Sequence, residues 1–184
     1  DPSTYYWNPG IKRDPLSPWS RSTYTLPCTG GSYFDGTSCQ DSSLGHYVDG
    51  WGQTSQVSCA AGTYQPSTAQ TACLDADAGH YVDSTGSTSQ TECAAGTYQP
   101  STGQPSCTDA DAGHYVDSTG STSQTACAAG TYQPSTAHTA CLDADAGHYV
   151  DSTGSTSQTE CIPGSFQNQT GQTTCVMAPP GTFT

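Results

Sequence analysis

Residues 59–92 read CAAGTYQPSTAQTACLDADAGHYVDSTGSTSQTE, and residues 127–160 repeat them with one change, His138 in place of Gln70. The copy between them, residues 93–126, differs at five positions. A fixed period of 34 residues is the signature of a repeat architecture. A finer period lies beneath it. Gly45, Gly62, Gly79, Gly96, Gly113, Gly130, Gly147, Gly164 and Gly181 stand 17 residues apart. Two residues after each comes an aromatic, from Tyr47 and Tyr64 through to Phe166 and Phe183. Gly31 and Tyr33 open the series in a unit shortened to a step of 14. The shared unit is G-x-[YF]-x-x-S-T-[GA]-x-T, and the 34-residue repeat is two such units that differ in where cysteine sits.

Each unit reads as a short β-hairpin. Tyr-Val or Tyr-Gln forms one brief strand, Ser-Thr-Gly the turn, and a Thr-rich stretch the return. One hairpin of this size is marginal in water, so the units must stack on one another. The predicted fold is small, disulfide-rich and β: an elongated rod of tandem hairpins with little helix and no conventional core. Contacts are expected mainly between adjacent units, with the aromatic rings in a ladder.

The ten cysteines are separated by steps of 11, 20, 14, 20, 14, 20, 14, 20 and 14. An even count at an alternating step reads as a disulfide framework in an oxidising compartment. Pairing across the short gaps uses every cysteine: Cys28–Cys39, Cys59–Cys73, Cys93–Cys107, Cys127–Cys141 and Cys161–Cys175. Pairing across the long gaps strands Cys28 and Cys175, so the short-gap set is favoured. Closing each such loop contributes roughly 3 kcal/mol in the chain-entropy model. That matters because Leu, Ile, Val and Phe together number only 16 of 184 residues. So few large side chains cannot offset the backbone entropy of the chain.

The cysteine-bearing unit, Cys59-Ala-Ala-Gly62-Thr-Tyr64…Cys73 and Cys161-Ile-Pro-Gly164-Ser-Phe166…Cys175, resembles the ephrin-receptor-like cysteine-rich repeat. It is more loosely similar to the cysteine-rich modules of tumour-necrosis-factor and growth-factor receptors. The resemblance covers about residues 28–178. It implies an extracellular or cell-surface location and a disulfide-stapled rod. Arrays of the C-A-A-G-T-Y-Q-P-S-T type also resemble large surface proteins of microbes and algae.

Three segments follow from the pattern: an arm at residues 1–27, the hairpin rod at 28–175, and a half-hairpin or start of a further repeat at 176–184. The arm has no cysteine, five prolines and all three basic residues of the chain. Its Tyr5, Tyr6, Trp7, Lys12, Arg13, Trp19 and Arg21 are candidate self-assembly residues, docking on the acidic end of a neighbouring copy. The formal charge of −13 is unevenly spread: +1 over residues 1–21 and −14 over the rest. Residues 22–184 hold 14 acids and no bases, which repels phosphates, so no nucleic-acid partner is expected. No apolar run approaches the about 20 residues of a membrane span.

Asp75, Asp77 and Asp83, with Asp109, Asp111 and Asp117, and Asp143, Asp145 and Asp151, recur once per repeat. D-x-D followed by glycine and a further Asp offers hard oxygens, so these are candidate calcium ligands; capped turns are the competing role. No other cofactor is expected. His46, His80, His114 and His148 each precede the aromatic and read as outward-facing strand residues. Asn168-Gln-Thr170 is an N-glycosylation sequon, and Pro-Ser-Thr at Ser67 and Thr68, Ser101 and Thr102, and Ser135 and Thr136 are candidate O-glycan acceptors. No enzyme is expected: there is no G-x-S-x-G, and near-identical copies offer no unique site. The functional expectation is a structural subunit of a secreted filament or surface stalk, assembled head to tail. The alternative is an adhesin or receptor-like ectodomain that binds a protein or glycan.

Overall fold

The computed structural model describes residues 28–181. Within them the chain forms nine two-stranded antiparallel sheets, one after another, and no helix. In the Gly62 hairpin, Thr63–Tyr64 pairs with Leu74–Asp75, Tyr64 facing Leu74. In the Gly79 hairpin, His80–Tyr81 pairs with Thr91–Glu92. All but the first hairpin have strands of two residues, and in each hairpin a left-handed glycine precedes the first strand and a polar turn follows it (Gly79 φ +81°, Gly86 φ +70°). Val176–Met177 is the return strand of the Gly164 hairpin, so the last described hairpin runs past residue 175.

The stack is held by backbone hydrogen bonds at constant offsets. Gly62 N–H donates to Val82 O at 2.7 Å, and Gln65 N–H to Ser87 O at 3.0 Å. Gly86 N–H returns to Cys59 O at 2.8 Å. The same three bonds tie each hairpin to the next along the array, so its polar backbone is satisfied without a continuous sheet.

Contacts also reach further than the expected nearest neighbour. A Cβ placed on Gly62 would lie 2.2 Å from Gly103 O, in the turn two hairpins on. Gly45 meets Gly86 O in the same way, Gly79 meets Gly120 O, and Gly113 meets Gly154 O. This glycine is therefore a seam: each hairpin from Gly31 to Gly130 packs its glycine against the turn of its next neighbour but one, while Gly147 and Gly164 meet no such turn among the described residues. Cysteine-bearing hairpins stack on cysteine-bearing hairpins, and His-Tyr hairpins on their own kind. The 34-residue period is this alternation in three dimensions.

The buried residues are small. Three positions before each seam glycine stand Ser42, Cys59, Ala76, Cys93, Ala110, Cys127 and Ala144, all 0% exposed. Three positions after it, Val48, Val82, Val116 and Val150 alternate with Gln65, Gln99 and Gln133, all buried. The tyrosines expected to form a buried ladder are only half-buried. The hairpins approach too closely at the seam to admit rings, and the interior is filled by Ser, Cys, Ala, Val and Gln side chains instead. Each buried Gln satisfies itself locally: Gln65 Nε2 donates to Ala72 O at 2.8 Å, and its Oε1 accepts from Ser67 N–H at 3.1 Å.

The first hairpin turns on Asp35. Its Oδ1 accepts from the Thr37 hydroxyl at 2.7 Å, from Ser38 N–H at 2.9 Å and from Thr37 N–H at 2.7 Å. These bonds, the Thr37 hydroxyl foremost, hold its carboxyl down at about 2, from an ordinary 3.8. The folded-state value is lowered, so the turn's support is complete above about pH 4 and is lost as pH falls through about 2. Carboxyl NMR titration should place the Asp35 midpoint near 2, and Thr37→Val should move it towards 3.8. A wild-type midpoint near 4 would refute this network.

Candidate functional site

The cysteines pair as Cys28–Cys39, Cys59–Cys73, Cys93–Cys107, Cys127–Cys141 and Cys161–Cys175, the short-gap set. Each bridge joins the position three before a seam glycine to the return arm of that same hairpin. The His-Tyr hairpins lack cysteine yet are fastened close by, from the residue two before the glycine. At the position of the second cysteine stands Gln90, Gln124 or Gln158. Gln90 Oε1 accepts from Asp77 N–H at 2.7 Å, and Gln90 Nε2 donates to Asp77 Oδ2 at 2.6 Å. Gln124 grips Asp111 and Gln158 grips Asp145 in the same two bonds. In the first His-Tyr hairpin Ser43 takes the Asp position, donating its N–H to Gln56 Oε1 at 2.7 Å.

This clasp accounts for the second Asp of the D-A-D motif. Asp77, Asp111 and Asp145 are turn-closing groups. Asp83, Asp117 and Asp151 accept from the next serine, each at 2.7 Å. Asp75, Asp109 and Asp143 stand exposed on return strands. The carboxylates are therefore not gathered as a calcium site requires: among the described residues no three of His, Cys, Asp and Glu converge. The first acid of each motif stands on the return strand of one hairpin, and the other two are engaged by separate partners, a glutamine and a serine, in the next.

The histidines do not project freely from the strand. His46, His80, His114 and His148 are half-buried. His80 sits opposite Glu92 in the ladder, its Nε2 3.9 Å from Glu92 Oε1. His148 faces Glu160 in the same register, with its Nδ1 buried and unpaired. Asn168 lies exposed in the turn of the last described hairpin, and Ser67, Thr68, Ser101, Thr102, Ser135 and Thr136 are likewise exposed in turns. Tyr5, Tyr6, Trp7, Lys12, Arg13, Trp19 and Arg21 lie outside the described residues.

The concave feature of the array recurs with the repeat. Where a His-Tyr hairpin meets the following cysteine-bearing one, a cleft opens between a tyrosine ring, an aspartate and two threonines. It is lined by Tyr47, Asp49, Thr63 and Thr71 at one repeat, with a volume of about 530 Å³. It recurs at Tyr115, Asp117, Thr131 and Thr139 with about 600 Å³, and at Tyr149 and Asp151 with about 300 Å³. Residues 28–181 contain 14 acids and neither Lys nor Arg, so no cleft aspartate has a Lys or Arg partner among the described residues.

Sequence reading missed the Gln–Asp clasp, the seam and the clefts. The clasp alone had a visible trace: glutamine recurs 17 residues after each second cysteine. Among the described residues no helix is long and apolar enough to cross a membrane. The family described as tyrosine-protein kinase ephrin type A/B receptor-like matches this chain at residues 45–93, 91–127 and 125–161, more than half of its length. No curated protein matches it.

Proposed function

Because this chain belongs to the tyrosine-protein kinase ephrin type A/B receptor-like family, we propose that it is the structural subunit of an extracellular filament or surface stalk. Disulfide-rich repeats of this family are typical of extracellular domains. The observation that carries the reading is the constant-offset ladder, in which hairpin bonds to hairpin along the array and the glycines from Gly31 to Gly130 pack on the turn two hairpins on. Such an array grows by repetition and transmits load through backbone bonds and disulfides. Near-identical copies fit a spacer role, in which every unit does the same work. Residues 1–27, basic and aromatic, supply the contact to an acidic neighbouring copy, and a head-to-tail contact that does not close propagates. Exposed Ser and Thr of the Pro-Ser-Thr turns and Asn168 are the proposed glycan carriers. Negative-stain microscopy of the full chain should show long regular fibres that disappear on deletion of residues 1–27. Fibres unchanged by the deletion would sink head-to-tail assembly.

A second reading, a receptor-like or adhesive ectodomain, is favoured by the divergence of the last described hairpin. Single short rods that capture a partner would support it instead.

A further inference from the structure

The Gly164 hairpin departs from its sisters on its outer surface. Ile162 stands where Ala60, Ala94 and Ala128 stand, and Met177 where Asp75, Asp109 and Asp143 stand. Phe166 replaces a tyrosine, and Val176 faces it across the ladder. Ile162 is 70% and Met177 75% exposed. The sister positions Ala128 and Asp143, in the interior, are exposed as well. An Asp-to-Met exchange at an exposed site lowers solubility and has no benefit to the hairpin's own packing. Exposed apolar groups that gather beside a cleft mark a contact surface.

Ile162 and Met177 are two walls of the cleft of about 300 Å³ that Tyr149, Asp151, Ser165 and Thr173 complete. The sister cleft at Tyr115 and Asp117 has Ala128 in the place of Ile162. The last cleft thus keeps the ring and the carboxylate and exchanges small walls for large apolar ones. Asp151 Oδ1 accepts from Ser152 at 2.7 Å, while Oδ2 has no partner among the described residues. Ring, carboxylate and apolar wall together suit a segment carrying both aromatic and cationic side chains. In this chain one segment has that composition. Residues 1–27 contain Tyr5, Tyr6, Trp7 and Trp19 with Lys12, Arg13 and Arg21, and residues 28–181 contain no Lys or Arg at all.

We infer that the Tyr149–Asp151–Ile162–Met177 cleft is the docking site for residues 1–27 of a second copy. This rests on the head-to-tail reading above and names its receiving surface. The test uses the full chain and a fluorescent synthetic peptide of residues 1–27. The variant Ile162→Ala with Met177→Asp restores what interior hairpins carry, so it does not threaten folding. It should weaken peptide binding at least tenfold and shift the full chain to monomer in sedimentation velocity. Asp151→Asn should also weaken binding and flatten its salt dependence. If deleting residues 1–27 abolishes association but the double variant still associates, head-to-tail assembly stands and this site is wrong. If the deletion has no effect, the head-to-tail reading itself falls. Two further outcomes overturn the inference: no binding of the peptide to the wild-type chain, or a wild-type chain that stays monomeric because the segment folds back on its own cleft.

Discussion

Gly79→Ala should cost about 4 kcal/mol or more, whereas Gly86→Ala, seven residues away, should cost about 1 kcal/mol. Both glycines have positive φ, +81° and +70°. They differ in what surrounds them. A Cβ on Gly79 would lie 2.1 Å from Gly120 O, a backbone carbonyl in the turn two hairpins on. That atom cannot swing aside as a flexible side chain would, so the turn must leave its place and take its bonds with it. A Cβ on Gly86 meets nothing within 4 Å. Alanine already occupies the corresponding left-handed position in the cysteine-bearing hairpins, at Ala69 and Ala137 with φ of 57° and 61°. Hydrogen exchange by mass spectrometry is the decisive measurement. Gly79→Ala should deprotect the Gly79 and Gly113 hairpins together, because they share the seam. Equal effects of the two substitutions would refute it.

The second large effect concerns the two kinds of fastening. Removing one bridge, as Cys93→Ala with Cys107→Ala, should cost about 3 kcal/mol, the loop-closure value for this separation. Alanine is the right replacement at residue 93, since Ala76 and Ala110 fill the equivalent buried place. The matching lesion in the neighbouring hairpin, Gln124→Ala, removes two exposed hydrogen bonds to Asp111 and should cost roughly 1 kcal/mol. In a one-dimensional array each loss stays local, so the Gly96 and Gly113 hairpins should lose protection separately. Full reduction removes all five bridges and should unfold the array, as read by loss of amide protection throughout. A Gln124→Ala variant as damaged as the double-cysteine variant would show that the covalent link adds nothing over the clasp.

Both results bear on the proposed role. A stalk whose core is made of Cys, Ala, Val and Gln side chains has little apolar area to hold it together. Its strength resides in bridges, clasps and seam bonds, repeated at every level of the array.

Much of this was legible in the residues themselves. The 17- and 34-residue periods determined hairpin repetition, because identical sequence in identical local context must fold alike. The cysteine steps favoured the short-gap pairing, because pairing across the long gaps strands Cys28 and Cys175, and the fold made that pairing definite. The scarcity of Leu, Ile, Val and Phe determined that no ordinary core exists, since hydrophobic burial scales with the area available. What tertiary structure alone decided depends on distances between residues far apart in sequence. Gly62 was legible only as a member of the 17-residue glycine series; that it abuts Gly103 O follows only from how the hairpins stack. Asp75, Asp77 and Asp83 looked like one cluster, but Asp75 stands on the return strand of one hairpin, while Asp77 is held by Gln90 and Asp83 by Ser84 in the next. Ile162 and Met177 are separated along the chain from each other and from Tyr149 and Asp151, and only the fold brings the four to one cleft. Period and composition are local or summed properties and can be read along the chain, whereas a seam, a clasp and a cleft are made by neighbours that only folding brings together.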